Sequence, residues 1–141
     1  MSKRNYLWLE RTGTGSFVGK SSNGVSIPIG HGENELTPGD LLQLALAGCN
    51  ATSSDSRFAA ALGEDYESTI GVEGKYDKAE DRYTHMIIEI ITDMSGLSDE
   101  ERAKLETRAR RAIDQRCTVG HTLNAGMTNE VVITSESEDL D

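Results

Sequence analysis

Cys49 and Cys117 are the residues of this sequence best suited to covalent chemistry. A thiolate is a nucleophile near neutral pH, and two thiols can store a pair of electrons as a disulfide. They stand 68 residues apart, with no Cys-x-x-Cys pair, so a metal site would have to draw on histidines. His121 lies four residues after Cys117, on the same face if the chain is helical there, and could tune the Cys117 thiolate; His31 and His85 fall in a loop and a strand. Free cysteine also serves as a small buried hydrophobe, so the pair alone leaves packing and reactivity both open. The glycine-rich run from Gly13 to Ser21 has the wrong spacing before Lys20 for a phosphate-binding loop and reads as a hairpin.

The elements that must position these thiols follow from periodicity and punctuation. Cys49 sits in the longest block of helix formers, Leu36 to Gly63. Thr37 is suited to the N-cap, Pro38 to the first helical position and Gly63 to a left-handed stop. Leu42, Ala45, Cys49, Thr52, Ser56 and Ala60 follow helical spacing, giving a face of small side chains that something can approach closely. Ser98 followed by Glu101 is a capping box that opens a second helix. Leu105, Ala109, Ala112 and Ile113 recur on one face of it, and Cys117 falls on or beside that face, while Gly120 and Asn124-Ala125-Gly126 end the region.

Strands account for the rest. Tyr6–Glu10 and Phe17-Val18 flank the turn-rich Thr12–Ser16, and Asn23-Gly24 turns the chain into Val25–Ile29, where Pro28 marks an edge. The polar loop Gly30–Glu35 leads into the Cys49 helix and could form part of a site wall. Two antiparallel strands are expected around Tyr66–Gly74 and Arg82–Thr92, with Met86–Ile91 central in a sheet, and Glu130–Thr134 reads as a closing strand. This order is α+β, in a single domain over residues 1–134, with an acidic, disordered tail over 135–141. The formal charge of −10 repels nucleic-acid phosphates and anionic headgroups. No run reaches the roughly 20 apolar residues of a membrane span, and Met1–Asn5 lacks the apolar core of a signal peptide. A cytoplasmic protein follows, with no nucleic-acid or membrane partner, no metal and no cofactor, and with thiols reduced at rest.

Thr37-Pro38-Gly39-Asp40-Leu41-Leu42 running into Ala45-Leu46-Ala47-Gly48-Cys49, together with Arg116-Cys117-Thr118-Val119-Gly120-His121-Thr122-Leu123, resembles the OsmC/Ohr superfamily of thiol-dependent hydroperoxide reductases over nearly the whole chain. The resemblance implies an α+β fold in which two chains intertwine into a homodimer, antiparallel sheets wrapping around central helices. It also implies that Cys49 is the peroxidatic cysteine, attacking a hydroperoxide, and that Cys117 resolves the sulfenic acid as a disulfide, which a dithiol reductant such as a lipoyl group then reduces. Apolar helices around Cys49 favour organic hydroperoxides. Family members support the thiolate with a glutamate ten residues before the first cysteine and an arginine in the first hairpin loop. Here position ten is Gly39, and the candidates are Asp40, one residue later, with Arg11, Lys20 and His121. Nine residues of straight helix turn through about 900°, so Asp40 reaches Cys49 only through a kink or across a dimer. A second expectation is a binding or stress-response protein that keeps this scaffold and lacks efficient peroxidase activity.

Overall fold

Turn residues divide the first thirty positions into three strands in the computed structural model, which describes residues 6–136. Strands β1 (Leu7–Gly13), β2 (Ser16–Ser21) and β3 (Ser26–Ile29) form an antiparallel sheet in that order. Gly15 and Gly24 take the positive φ values, 69° and 93°, that the two tight connections require. Pro28 lies on the outer strand, as its missing N–H demands. The register sets Leu7, Leu9, Phe17 and Ile27 on one face. That face is open: Leu7 is 81% and Leu9 57% exposed.

A loop leads from this sheet into α1 (Pro38–Leu62). Glu35 ties it down by accepting hydrogen bonds from the Gly32 N–H at 2.8 Å and the Ser16 hydroxyl at 3.2 Å. Thr37 caps α1, its hydroxyl accepting from the Asp40 N–H at 3.0 Å while the Asp40 carboxylate accepts from the Thr37 N–H at 3.0 Å. Gly63 ends the helix at φ 104°, its N–H donating to the Ala59 carbonyl at 2.8 Å.

Strands β4 (Ser68–Asp77) and β5 (Arg82–Thr92) make a long hairpin whose turn is held by Asp77, which accepts from the N–H groups of Ala79 and Glu80. Its inward residues, Ile70, Val72, Met86, Ile88 and Ile90, pair across the hairpin or alternate along it; Glu73, Ile87, Glu89 and Ile91 point outward. Helix α2 (Asp99–Arg116) opens with the reciprocal Ser98–Glu101 cap, and a short helix α3 (Thr118–Ala125) follows after one residue. The core lies where α1 meets α2: Phe58, Leu105 and Ala109 are buried, and Leu62, Tyr66, Ile90, Met94 and Leu97 close around them.

The structure corrects three expectations. Strand β5 is not central, because among the described residues it pairs with β4 alone. Glu130–Thr134 forms no strand: Val131, Val132 and Ile133 are 80%, 78% and 94% exposed, and among the described residues no strand pairs with the segment. Cys117 is not inside the second helix but is the junction residue, at φ −80° and ψ 89°, ending α2 and capping α3. The acidic tail lies outside the described residues from position 137 onward, as do Met1–Asn5.

Candidate functional site

Cys49, at the middle of α1, and Cys117, at the α2–α3 junction, come into contact, both as free thiols. The packing of α1 against α2 and α3 brings them together. Their environments differ. Cys117 is buried, 2% exposed; its sulfur accepts from the Gly120 N–H at 3.3 Å and from the Asn50 side-chain amide at 3.8 Å. Asn50 is itself anchored on the Leu46 carbonyl at 2.9 Å. Gly120 suits that approach, since a Cβ there would lie a tight 3.2 Å from the Cys117 sulfur.

Burial pushes the Cys49 thiol up, but the Val119 N–H, the Cys117 thiol, the Ser53 hydroxyl and the Thr118 N–H outweigh it and hold Cys49 below its ordinary value. Thr118 and Val119 are the first two residues of α3, so the Cys49 sulfur faces the N-terminus of a helix, where free N–H groups and the macrodipole favour an anion. Cys117 moves the other way: burial first, then the hydrogen bond and charge of Cys49, raise it, against smaller opposition from the Gly120 and Val119 N–H groups. One thiol is set to ionise and its neighbour to keep its proton.

The four supporting candidates are placed elsewhere or otherwise engaged. Asp40 is committed to the α1 cap. Lys20 pairs with Glu10 at 3.2 Å on the N-terminal sheet, and Arg11 is exposed on β1 opposite Phe17. His121 alone is near, its Nε2–H donating to the Asp114 carbonyl at 2.6 Å. Sequence reasoning missed Asn50, Ser53 and the α3 amides; Ser53, four residues past Cys49 in a helix, was within reach of spacing alone.

A cavity of about 710 Å³ opens beside the pair between α1, β5 and the α2–α3 junction. Its walls include Cys117, Asn50 and His121 but not Cys49, with Leu46, Ile88 and Leu123 giving apolar surface and Arg82 and His85 polar surface. Among the described residues, no group of three or more His, Cys, Asp or Glu side chains gathers as a metal site would require, and no helix is long and apolar enough to cross a membrane.

Antiparallel sheets, a long cysteine-bearing helix and a second cysteine at a helix junction define an OsmC-like α+β protein. The family model for OsmC-like proteins matches residues 30–132, and the chain belongs to that family. Uncharacterized proteins of Mycobacterium bovis and Mycobacterium tuberculosis are 39% identical over 124 residues, covering 86% of this chain and 90% of theirs. The fold is shared with a hypothetical protein from Aquifex aeolicus VF5 (TM-score 0.68, 19% identity, 88% of this chain and 89% of that one). It is also shared with an OsmC-like protein from Mycoplasma pneumoniae (TM-score 0.61, 15% identity, 88% and 89%).

Proposed function

We propose that this protein is a cytoplasmic thiol-dependent peroxidase that reduces organic hydroperoxides. The observation that carries this reading is the polarised pair, Cys49 favoured as thiolate by the α3 N-terminus and Cys117 held as thiol beside it. The Cys49 thiolate attacks the distal peroxide oxygen, an S–O bond forms as the O–O bond breaks, and the alcohol leaves with a proton for which the Cys117 thiol is the adjacent source. The Cys117 thiolate then attacks the Cys49 sulfenic acid, forming the disulfide and releasing hydroxide, which takes up a proton as water. A dithiol reductant returns both thiols and leaves oxidised by two electrons.

In this reading the α3 N-terminus does the work that the resemblance gives to a glutamate and an arginine, while Asp40 is held in the α1 cap and Lys20 pairs with Glu10. Cys49→Ser is expected to abolish peroxide consumption, and Cys117→Ser to consume one equivalent and leave a sulfenic acid that dimedone traps. Full turnover by Cys49→Ser would overturn the proposal.

The same reading takes the protein as a homodimer. One chain leaves the apolar face of the N-terminal sheet and the segment Val131–Ile133 uncovered, and contiguous exposed apolar surface is the mark of an interaction site. An intertwined second copy would cover the sheet face and offer the 130–134 segment a strand edge.

A further inference from the structure

The sulfur that keeps its proton beside a Cys49 thiolate must become the nucleophile once Cys49 is a sulfenic acid. Some group other than Cys49 has to carry Cys117 through that change. Asn50 follows Cys49 on α1, and its side-chain amide nitrogen donates to the Leu46 carbonyl at 2.9 Å and to the Cys117 sulfur at 3.8 Å. A carbonyl only accepts, so the Leu46 contact fixes which end of the amide faces the sulfur: one N–H goes to the helix backbone and the other to Cys117. The Gly120 N–H reaches the same sulfur from α3 at 3.3 Å.

Two neutral donors, from two helices, therefore meet on a sulfur that is 2% exposed. A thiol is a weak acceptor and gains little from them, whereas a hydrogen bond to a charged acceptor is shorter and about twice as strong. We propose that Asn50 is a positioning residue for the resolving step: within the two-cysteine cycle on which this inference rests, it ties the Cys117 sulfur to the helix that carries Cys49 and, with the Gly120 N–H, holds the negative charge there once Cys49 has lost it.

The transfer of charge balances. As the Cys49 thiolate forms its S–O bond and the O–O bond breaks, the departing alkoxide takes the Cys117 proton, so one negative charge passes from Cys49 to Cys117. The Cys117 thiolate then forms the S–S bond as the S–O bond breaks, and hydroxide leaves and is protonated by solvent. Before the first step, burial together with the hydrogen bond and charge of Cys49 holds the Cys117 thiol up. Afterwards the Cys49 charge is gone while burial still opposes ionisation, and the N–H donors are what offsets it. Among the ionisable groups on the packed elements, Cys49 of α1 is the one whose charge acts on Cys117. His121 of α3 is bonded to the Asp114 carbonyl of α2, and Arg82 and His85 of β5 line the neighbouring cavity.

Two measurements on the full chain test this. In a Cys49→Ser background the neighbour is a neutral hydroxyl and Cys117 is the one remaining thiol, so its ultraviolet thiolate absorbance gives the titration without reagent access to the sulfur. Asn50→Leu keeps the volume and loses the donor, and is expected to raise the Cys117 midpoint by about 0.5–1 unit. Asn50→Ala should move it the same way, with circular dichroism verifying that each variant is folded. With both cysteines present, a single turnover of cumene hydroperoxide in dimedone is expected to leave about threefold or more adduct on Cys49 in Asn50→Leu relative to the parent, because slower resolution exposes the sulfenic acid for longer. A role in packing alone would lower stability and leave the midpoint and the adduct fraction where they were. An unmoved Cys117 midpoint in both variants, or an unchanged adduct fraction beside a parent that forms the disulfide, overturns the assignment of Asn50. A parent that yields neither adduct nor disulfide with peroxide instead refutes the peroxidase reading, and the resolving step falls with it.

Discussion

Replacing Thr118 by proline removes one of the two α3 amides that serve Cys49. Thr118 is the first residue of α3, so its N–H has no partner within the helix, and proline's fixed φ suits that position. The residue before it, Cys117, at ψ 89°, is already outside the α region that a following proline disfavours. The substitution therefore removes one donor to the Cys49 sulfur with little backbone cost. A hydrogen bond to a charged group contributes about 1.5–3 kcal/mol. The Thr118 N–H is the smallest of the four donors and Cys49 is only partly buried, so we take about 1 kcal/mol. At 1.36 kcal/mol per pH unit this raises the Cys49 thiol by about 0.7 unit. The sign is fixed, because losing a donor to the thiolate disfavours the charged form. Below the titration midpoint, alkylation by iodoacetamide should slow about fivefold in a Cys117→Ser background, with the high-pH plateau unchanged. Thr118→Ala keeps the N–H and should titrate as the parent. Equal profiles for Thr118→Pro and the parent, or an unperturbed midpoint near the free-thiol value of about 8.5 in both, would refute the assignment of α3 as the activating group and favour the binding-protein alternative.

Three further outcomes test the scaffold. Leu105→Ala empties the centre of the α1–α2 core, where Leu105 is 3% exposed against Phe58 and Ala109, and should cost about 3 kcal/mol in denaturant unfolding. Gly39→Ala sets helix propensity against sterics. Alanine should gain up to about 1 kcal/mol in a helix, but its Cβ would meet the Tyr83 hydroxyl oxygen, and Tyr83 cannot retreat because its ring already crowds Gly74. A net loss of about 1–2 kcal/mol is expected, partly restored by Tyr83→Phe in the double variant. Val132→Lys should shift the proposed dimer toward monomer in analytical ultracentrifugation; a monomeric parent would remove the homodimer from the reading.

Much of the scaffold was legible because its signals are local. Thr37-Pro38 and Ser98–Glu101 punctuate their helices where the structure begins them, and Asn23-Gly24 turns where such a pair must. Gly120 misled for a physical reason. A glycine beside a histidine and ahead of Asn124-Ala125-Gly126 reads as a helix end, yet it sits within α3, where a side chain would crowd the Cys117 sulfur at 3.2 Å. The demand comes from a contact with another residue's sulfur, which no local propensity encodes. For the same reason the activation of Cys49 was sought among Asp40, Arg11 and Lys20, side chains visible as letters, while the groups found to serve it include two backbone amides that every sequence contains.

The segment Glu130–Thr134 fails as a strand for a different reason, one that bears on what counts as the folded unit. Its composition is as β-favouring as that of β5, but a strand is defined by its neighbour, and the chain offers it none among the described residues. Strand β5 has an unpaired edge, the N-terminal sheet an uncovered apolar face, and the Ala45, Gly48 and Thr52 side of α1 is exposed although its residues are small enough for close helix packing. In the proposed homodimer each of these would be half of a contact. Isolated, the 130–134 segment would be an aggregation liability, with three consecutive exposed β-branched residues. The proposed two-fold assembly would satisfy all of them with the same surface used twice, and the donors found at Cys49 all belong to its own chain. If that is correct, a variant that dissociates the dimer should lose stability before it loses the asymmetry of the two cysteines, so the Cys49 alkylation midpoint of Val132→Lys should stay within about 0.3 unit of the parent as long as the chain remains folded.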